Sequence, residues 1–240
     1  MVERPSMRKK GRRGVRRKVV YVAAAIILVA LLVLLFFQTQ SGRNEPIILY
    51  VNQGNGVVNG SNFGTMLSFA SSHGFNTIFF QIYRAGNLLF NSNGLSSFVN
   101  QSHAQGMKIF FALYFTNSSQ PFPSAIFGLG EDGISLDVST LAPSTQESLL
   151  ADLAPCHCQT AVTTTDMNSP LKPDLLVLET YGPALQQYIR HGTVASVGVF
   201  ATTSQTDYQS QFQFALSNSD GVMVFDYAGL LKSGYQNPPL

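Results

Sequence analysis

The stretch that decides the fold runs over residues 76–115. It begins with "NTIFFQIYR" (76–84), continues through "GLSSFVNQSHAQG" (94–106) and ends with "MKIFFALYF" (107–115). The first and last segments are rich in Phe, Ile and Tyr, as buried strands are. The middle segment is typical of a helix that is closed by Gly106. A strand, a helix and a second strand in this order predict a parallel β-α-β unit.

The same alternation continues in both directions along the chain. We predict strands at 47–52, 76–84, 107–115, 133–139, 159–166, 173–182, 194–203 and 221–227, and helices at 60–74, 94–106, 144–154, 183–192 and 206–220. Eight strands that alternate with helices favour an α/β fold, a compact (β/α)8 TIM-like barrel. Ser144 and Glu147 have the spacing of a capping box. The connection "MNSPLK" (167–172) is too short for a full helix, so we expect a slightly reduced barrel. The alternative is an open doubly wound sheet, but no Gly-rich phosphate loop follows the first strand.

The N-terminal region has the pattern of a membrane anchor. Residues 1–18 hold nine of the fifteen Lys and Arg residues, and residues 19–37 carry no charge. An apolar segment of this length spans roughly the 30 Å core of a bilayer at about 1.5 Å per residue. A cleaved signal peptide is the alternative, but its apolar region is usually shorter, and "QTQSG" lacks a small-x-small cleavage site. The sequence therefore favours an uncleaved transmembrane signal anchor in the lipid bilayer.

Charge sets the expected topology. The basic segment 1–18 should stay in the cytoplasm, so the polar linker 38–46 and the barrel domain 47–240 should lie outside the cell membrane. From residue 38 onward there are six Lys and Arg residues against twelve Asp and Glu residues, a net charge of −6. The outer domain therefore has no basic stripe for nucleic acid. The basic segment could also be a nucleic-acid arm, but its place beside the apolar span favours the topological role.

The two cysteines stand close together in "CHC", as Cys156 and Cys158. A zinc site needs about four ligands, and the sequence has no second cluster of such residues. A disulfide across a single residue and a plain loop pair remain the alternatives. We expect no metal and no other cofactor. Asn-x-Ser triplets at Asn59, Asn100 and Asn117 permit glycosylation without requiring it.

Polar residues collect where the predicted strands end. In barrels of this kind the chemistry lies at the C-terminal ends of the strands. These ends carry carboxylates, tyrosines and amides, a combination that suits a carbohydrate site. The same polarity is also expected wherever strand ends meet water. The residues concerned are Asn52, Gln53, Gln81, Tyr83, Arg84, Tyr114, Asp137, Ser139, Asp166, Glu179, Tyr181, Thr202, Asp226 and Tyr227.

Several of these motifs resemble the barrels of glycoside hydrolases. The run "GFNTIFFQIYRAGNLLFNS" (74–92) followed by "HAQGMKIFFALYF" (103–115) is similar to the opening β-α-β unit of such barrels. The strand "DGISLDVS" (132–139) resembles the D-G-x-D-x-D-x-E strand of family 18 chitinases. "GVMVFDY" (221–227) is similar to the last strand of that group, in which a Trp usually stands where this chain has Phe225. The resemblance implies a TIM barrel and a carbohydrate ligand.

The departures from the chitinase pattern limit what it implies. Ser139 stands where the resemblance places the glutamate that protonates the glycosidic oxygen, and Ser135 replaces one of the aspartates, so that only Asp137 matches. The chitinase mechanism is therefore not expected. If the protein is a glycoside hydrolase, we predict Glu179 as the proton donor and Asp137 as its partner. The residues predicted to orient the sugar are Gln81, Tyr83, Arg84, Tyr181, Asp226 and Tyr227. The alternative is a non-catalytic glycan-binding or envelope-structural module on a degenerate barrel.

Overall fold

The computed structural model describes residues 45–53 and 58–237. Within these residues nine strands form one sheet: β1 (Ile47–Val51), β2 (Thr77–Arg84), β3 (Asn87–Leu88), β4 (Lys108–Tyr114), β5 (Gly133–Asp137), β6 (Gln159–Thr164), β7 (Leu175–Glu179), β8 (Val194–Gly198) and β9 (Val222–Phe225). β3 is a short antiparallel partner of β2, which the sequence analysis did not predict. The other strands pair in parallel in chain order, and β1 pairs with both β2 and β9. The sheet is therefore closed, which confirms the predicted eight-stranded barrel and excludes the open doubly wound sheet.

Helices connect some of the strands but not all of them. The described residues form the α-helices α1 (Phe63–Ser72), α2 (Ser92–Ala104), α3 (Pro143–Ala151), α4 (Gln205–Asn218) and α5 (Tyr227–Ser233), and the 3₁₀ segments Ser124–Ile126, Ala154–Cys156 and Pro183–Tyr188. Neither kind of helix lies between β6 and β7 in this described part of the chain, in agreement with the short connection that was predicted there.

The predicted bounds need correction in three connections. The segment 183–192 was predicted to be a helix, but only Pro183–Tyr188 is helical, as a 3₁₀ segment, because the backbone is already extended at Ile189. Helix α3 begins at Pro143 rather than after Ser144, since proline fits the first position of a helix. Its N-cap residue is Ala142, and no side chain caps it. Helix α5, after the last strand, was not predicted.

The side chains of the strands alternate between two cores. Those that point into the barrel form a small cluster of their own: Ile48, Tyr50, Phe79, Phe110, Ala112, Ala161, Val177, Val194 and Met223. Those that point outward pack against the helices, as in the aromatic group of Phe63 on α1, Phe80 on β2 and Phe98 on α2, where the Phe80 and Phe98 centroids are 4.3 Å apart. Each such buried ring contributes roughly 1.5–3 kcal/mol of stabilisation. This alternation fixes which strand-end residues face the barrel mouth.

Gly133 shows why the motif "DG" opens β5. Its α-carbon faces the barrel interior, where a Cβ atom would lie 2.2 Å from the ring of Phe110 and 2.6 Å from the carbonyl oxygen of Gln159. Only glycine allows β5 to pass this close to the Phe110 ring. Gly133 is therefore needed for packing, independently of any reaction at the barrel mouth.

The predicted membrane anchor at 19–37, its basic flank at 1–18 and most of the linker 38–46 lie outside the described residues. Within the described part of the chain, no helix is long and apolar enough to cross a bilayer.

Candidate active site

Two carboxyl groups share the C-terminal mouth of the barrel. Asp137 is the last residue of β5 and Glu179 is the last residue of β7, with β6 between them. Residues two apart on a strand face the same way. Ser135 and Val177 face the barrel interior and lie two residues before Asp137 and Glu179, so both acids face the interior as well. Asp137 is only 8% exposed, whereas Glu179 is half-buried. The fold therefore turns two acids that are 42 positions apart in sequence toward one space.

Asp137 is held by hydroxyl groups from two directions. The Tyr50 hydroxyl on β1 donates to Asp137 Oδ2 at 3.3 Å, and the Ser139 hydroxyl donates to Oδ1 at 3.4 Å. Gln81 Nε2 on β2 donates to the Tyr50 oxygen at 3.4 Å. These bonds form a chain from β2 through β1 to β5 across the barrel mouth, and they fix the orientation of the buried carboxylate.

Glu179 has a similar arrangement on the other side of the mouth. The Tyr181 hydroxyl donates to Glu179 Oε1 at 3.3 Å, and Ser196 on β8 donates to the Tyr181 oxygen at 3.3 Å. The ring of Phe225 on β9 lies between the two tyrosines, with its centroid 5.2 Å from Tyr50 and 5.9 Å from Tyr181. The two hydrogen-bonded groups are thus joined by one aromatic side chain.

The pKa shifts of Asp137 and Glu179 favour a state in which the pair holds one proton. Burial and, after it, the nearby charge of Glu179 raise the pKa of Asp137 to about 7, although the hydrogen bonds from Tyr50 and Ser139 lower it. Burial also raises the pKa of Glu179. Two neighbouring buried carboxylates resist ionising together, so the pair holds one proton near neutral pH.

Both tyrosines remain protonated donors in this environment. Burial raises the pKa values of Tyr50 and Tyr181 well above their ordinary value, and the negative charge of the nearest carboxylate, Asp137 or Glu179, adds to the effect. Because a protonated phenol can donate, each tyrosine stabilises the charged form of the acid that it contacts.

Three buried polar atoms near Asp137 have no hydrogen-bond partner among the described residues. They are Ser135 Oγ, Thr163 Oγ1 and Gln53 Nε2. Ser135 precedes Asp137 on β5, Thr163 on β6 is its register partner, and the backbone N–H of Gln53 donates to Gln81. Unsatisfied buried groups call for an explanation, and polar groups that would bond water or a hydroxyl-rich ligand provide one.

Of the predicted sugar-orienting residues, Gln81 and Tyr181 lie in this cluster, but Tyr83 and Arg84 do not. The pairing of β2 with β4 shifts register between Gln81 and Tyr83, which turns Tyr83 into the helix layer. There its ring lies 5.1 Å from that of Phe115, and its hydroxyl donates to Pro121 O at 2.5 Å. Arg84 is exposed, with its guanidinium 5.8 Å above the ring of Tyr114.

Asp226 and Tyr227 form the start of helix α5, where their side chains have structural contacts. Asp226 is the N-cap of that helix, and its Oδ1 accepts a hydrogen bond of 2.9 Å from Gly229 N–H. Tyr227 is buried in the outer layer, with its ring 5.2 Å from that of Phe69 on α1. Helix α5 was not predicted from the sequence, and neither were these structural roles.

Tyr50 is the site residue that sequence reasoning missed. It lies inside the predicted first strand (47–52), whereas only the end of that strand, Asn52 and Gln53, was considered. A signal was present, because Tyr50 has the only polar side chain in "IILYV" and, two residues after Ile48, faces the barrel interior as Ile48 does.

Tyr114, which was noted as a strand-end residue, is the register partner of Asp137 on β4.

The cysteines lie elsewhere and form a disulfide. Cys156 and Cys158 are bonded to each other, with their Cα atoms 5.1 Å apart, so the structure selects the disulfide from the two alternatives that the sequence left open. Within the described residues they form, with Glu131, the one group of three side chains with metal-ligand spacing. Because both sulfur atoms are in the disulfide, neither offers a thiolate to a metal.

An open groove of about 630 Å³ lies beside the carboxyl pair rather than over it. It touches the cluster through Tyr181 and extends over the loop between β8 and α4. Its volume lies within the range of small-molecule sites. The residues that line it include Tyr181, Gln186, Phe200, Thr202, Asp207 and Gln211.

Comparison with known proteins shows similarity at the level of structure. No family model and no curated protein matches the sequence. The chain is similar to the xylanase and α-amylase inhibitor protein XAIP-II from Scadoxus multiflorus, with 10% identity over 80% of this chain and 96% of that chain and a TM-score of 0.55.

Two other structures with a similar fold are named as enzymes. The GH113 β-mannanase AaManA from Alicyclobacillus acidocaldarius matches with 10% identity over 75% of this chain and 86% of that chain, with a TM-score of 0.51. An HpcH/HpaI aldolase from Desulfitobacterium hafniense DCB-2 matches with 7% identity over 82% and 92%, with a TM-score of 0.54. The fold is a TIM barrel. At such low identity these matches establish the fold alone, because this barrel serves many chemistries.

Proposed function

We propose that the protein is a membrane-anchored, extracytoplasmic glycoside-hydrolase-like barrel that acts on or binds a surface glycan. The observation that carries the proposal is the Asp137–Glu179 pair at the barrel mouth, with one carboxyl held protonated near neutral pH by burial and by the charge of the other. Hydrolysis of a glycosidic bond needs one protonated and one ionised carboxyl group, and this pair supplies both.

The two acids have different access to a ligand, which separates their roles. Glu179 is half-buried and contacts Tyr181, which lines the open groove. The proton belongs to the coupled pair rather than to one acid, and Glu179, the more accessible of the two, delivers it to the glycosidic oxygen while that oxygen's bond to the anomeric carbon breaks. Asp137 lies deeper and, once it is ionised, stabilises the positive charge that develops on the sugar. Water supplies the hydroxyl group to the anomeric carbon, and its remaining proton returns to the pair.

The proposal is tested by replacing each acid with its amide. Glu179→Gln removes the proton donor, and a general acid typically contributes about 10²- to 10⁴-fold in rate. We expect a loss of that size in the release of reducing ends from a panel of surface glycans, and a loss with Asp137→Asn as well. The matched controls are Glu147→Gln and Asp152→Asn, which change exposed acids on or next to α3. If wild type cleaves a glycan and Glu179→Gln cleaves it equally well, the assigned donor is wrong.

The second candidate function is glycan binding without cleavage. It is favoured by Ser139, which holds Asp137 in place but has no acidic proton. The similar barrel XAIP-II is likewise named as an inhibitor protein rather than as an enzyme. In that case the wild type binds glycans but releases no reducing ends, and both amide variants still bind. If the wild type neither binds nor cleaves any member of the panel, the carbohydrate proposal fails.

The placement outside the membrane rests on the sequence, since nine basic residues precede the apolar segment 19–37. We expect protease added to intact cells to digest the domain 47–240. Protection of this domain in intact cells, with digestion only after lysis, would refute the topology.

A further inference from the structure

Phe200 is an exposed aromatic residue at the barrel mouth. It follows β8 by two residues and is 45% exposed, and its ring packs edge-to-face on Tyr181 with centroids 5.3 Å apart. Through Tyr181 and Phe225 an unbroken series of ring contacts leads inward to Tyr50, beside Asp137. Phe200 is thus the outermost ring of a series that begins at the carboxyl pair and ends at the groove.

The chain makes room for this ring at Gly198. A Cβ atom at Gly198 would lie 2.0 Å from the nearest carbon atom of the Phe200 ring. Gly198 is the last residue of β8 and the register partner of the inward-facing Phe225. Position 198 therefore faces the barrel interior. The Phe200 ring fills the space that a side chain at this position would take.

The loop that carries Phe200 is fixed by three hydrogen bonds. Phe200 N–H donates to Thr203 Oγ1 at 3.2 Å, and Thr203 N–H donates to Phe200 O at 3.0 Å. The hydroxyl of Tyr235, beyond α5, donates to Thr203 O at 2.6 Å. An apolar side chain that is exposed and yet held in place loses little conformational freedom when a ligand covers it.

The groove beside this ring is polar on its other walls. Amide groups come from Gln186 and Gln211, a hydroxyl from Thr202 and a carboxylate from Asp207. An aromatic face combined with amide, hydroxyl and carboxylate groups matches a sugar ring, which has an apolar face of C–H groups and a rim of hydroxyl groups.

We propose that Phe200 is the stacking platform of a carbohydrate subsite in the groove between Tyr181 and helix α4. The inference rests on the proposed function and deepens it, because it places the sugar units that flank the reacting bond on the side of β7 and β8. An oligosaccharide bound there extends past Tyr181 to Glu179. The ligand class is an oligosaccharide long enough to reach from the carboxyl pair to Phe200.

The experiment exploits the absence of tryptophan from the chain. Phe200→Trp keeps an aromatic face and introduces a single fluorophore, whose emission should change when a sugar stacks on it. Phe200→Ala removes the ring. Phe214, which is 41% exposed on α4 and does not line the groove, provides matched controls as Phe214→Trp and Phe214→Ala. Each variant of the full chain is titrated with soluble gluco-, xylo-, manno- and chito-oligosaccharides, and its thermal unfolding is recorded.

We expect Phe200→Ala to bind the recognised oligosaccharide roughly 10- to 100-fold more weakly, the loss expected from uncovering one aromatic side chain. Phe200→Trp should retain affinity and respond in fluorescence, and both Phe214 variants should bind like wild type without a spectral response. If wild type binds and Phe200→Ala binds equally well, the inference fails and the proposed function stands. An equal response from Phe214→Trp would also overturn it. If wild type binds no sugar, both fail together.

Discussion

The Tyr50 hydroxyl and the Asp137 carboxylate are joined by a hydrogen bond of 3.3 Å that links β1 to β5 across the barrel mouth. These residues are 87 positions apart in the sequence. The bond lowers the pKa of a carboxyl group whose pKa burial and a neighbouring acid both raise. Tyr50 therefore sets how readily Asp137 ionises, although it carries no charge itself.

Tyr50→Phe should raise the pKa of Asp137 further above 7. The ring remains, but the donor that stabilises the ionised form is lost, so the proton is held more tightly. The shift is measured by NMR titration of the Asp137 side-chain carboxyl carbon. Tyr188→Phe, which removes an exposed hydroxyl, is the control and should leave this titration unchanged. An unchanged or lower pKa in Tyr50→Phe would contradict the proposed role of the hydrogen bond.

Asp137 should make the folded state less stable as the pH rises. Its folded pKa of about 7 lies above the ordinary value of 3.8, so the folded state binds the proton more tightly than the unfolded state does. The free energy of unfolding therefore falls between about pH 4 and pH 7, by on the order of a few kcal/mol in total, and the penalty is constant above that range.

Asp137→Asn should remove this dependence, because the amide does not titrate. The difference in unfolding free energy between the variant and wild type, measured with urea, should grow in favour of the variant from pH 4 to pH 7. Asp152→Asn, which changes an exposed acid, is the matched control and is measured over the same range. A flat difference for Asp137→Asn would mean that the carboxyl group is not protonated in the folded state at these pH values.

Asp226 should behave as a helix cap. Asp226→Ala leaves the Gly229 N–H without its acceptor and should lower the free energy of unfolding by about 1 kcal/mol. Asp226→Asn keeps an acceptor oxygen and should be close to wild type, both in urea unfolding and in glycan binding. If Asp226→Asn folds normally but loses glycan binding, Asp226 also contacts the sugar, as the sequence analysis predicted.

Gly198 and Phe200 should be energetically coupled. Gly198→Ala forces the Phe200 ring from its place and should cost about 1–3 kcal/mol, as overpacking does. In a Phe200→Ala background the same change should cost little, so that the double-mutant cycle gives a coupling energy of about 1 kcal/mol or more. Gly64→Ala, which has open space around the added carbon, should show no coupling with Phe200. Additive effects of Gly198→Ala and Phe200→Ala would contradict the packing seen here.

The sequence by itself determined the alternation of strands and helices, and with it the barrel. Segments such as "NTIFFQIYR" (76–84) have strong strand preference, and Gly106 ends the intervening helix, so local patterns were sufficient. It also placed Asp137 and Glu179 at strand ends, since that position depends only on where each strand stops. The pattern was weaker at the connections, where helix α3 begins at Pro143 rather than at residue 144 and the segment from Pro183 is a short 3₁₀ segment rather than an α-helix.

Only the tertiary structure decided which strand-end side chains meet. The register shift after Gln81 turns Tyr83 away from the mouth, and helix α5 takes Asp226 as its cap. The position of Phe200 depends on the missing side chain of Gly198, and the pKa of Asp137 depends on burial and on Glu179. Strand periodicity is a local property of the backbone, whereas contacts, burial and charge interactions arise between residues far apart in the sequence, when the barrel closes.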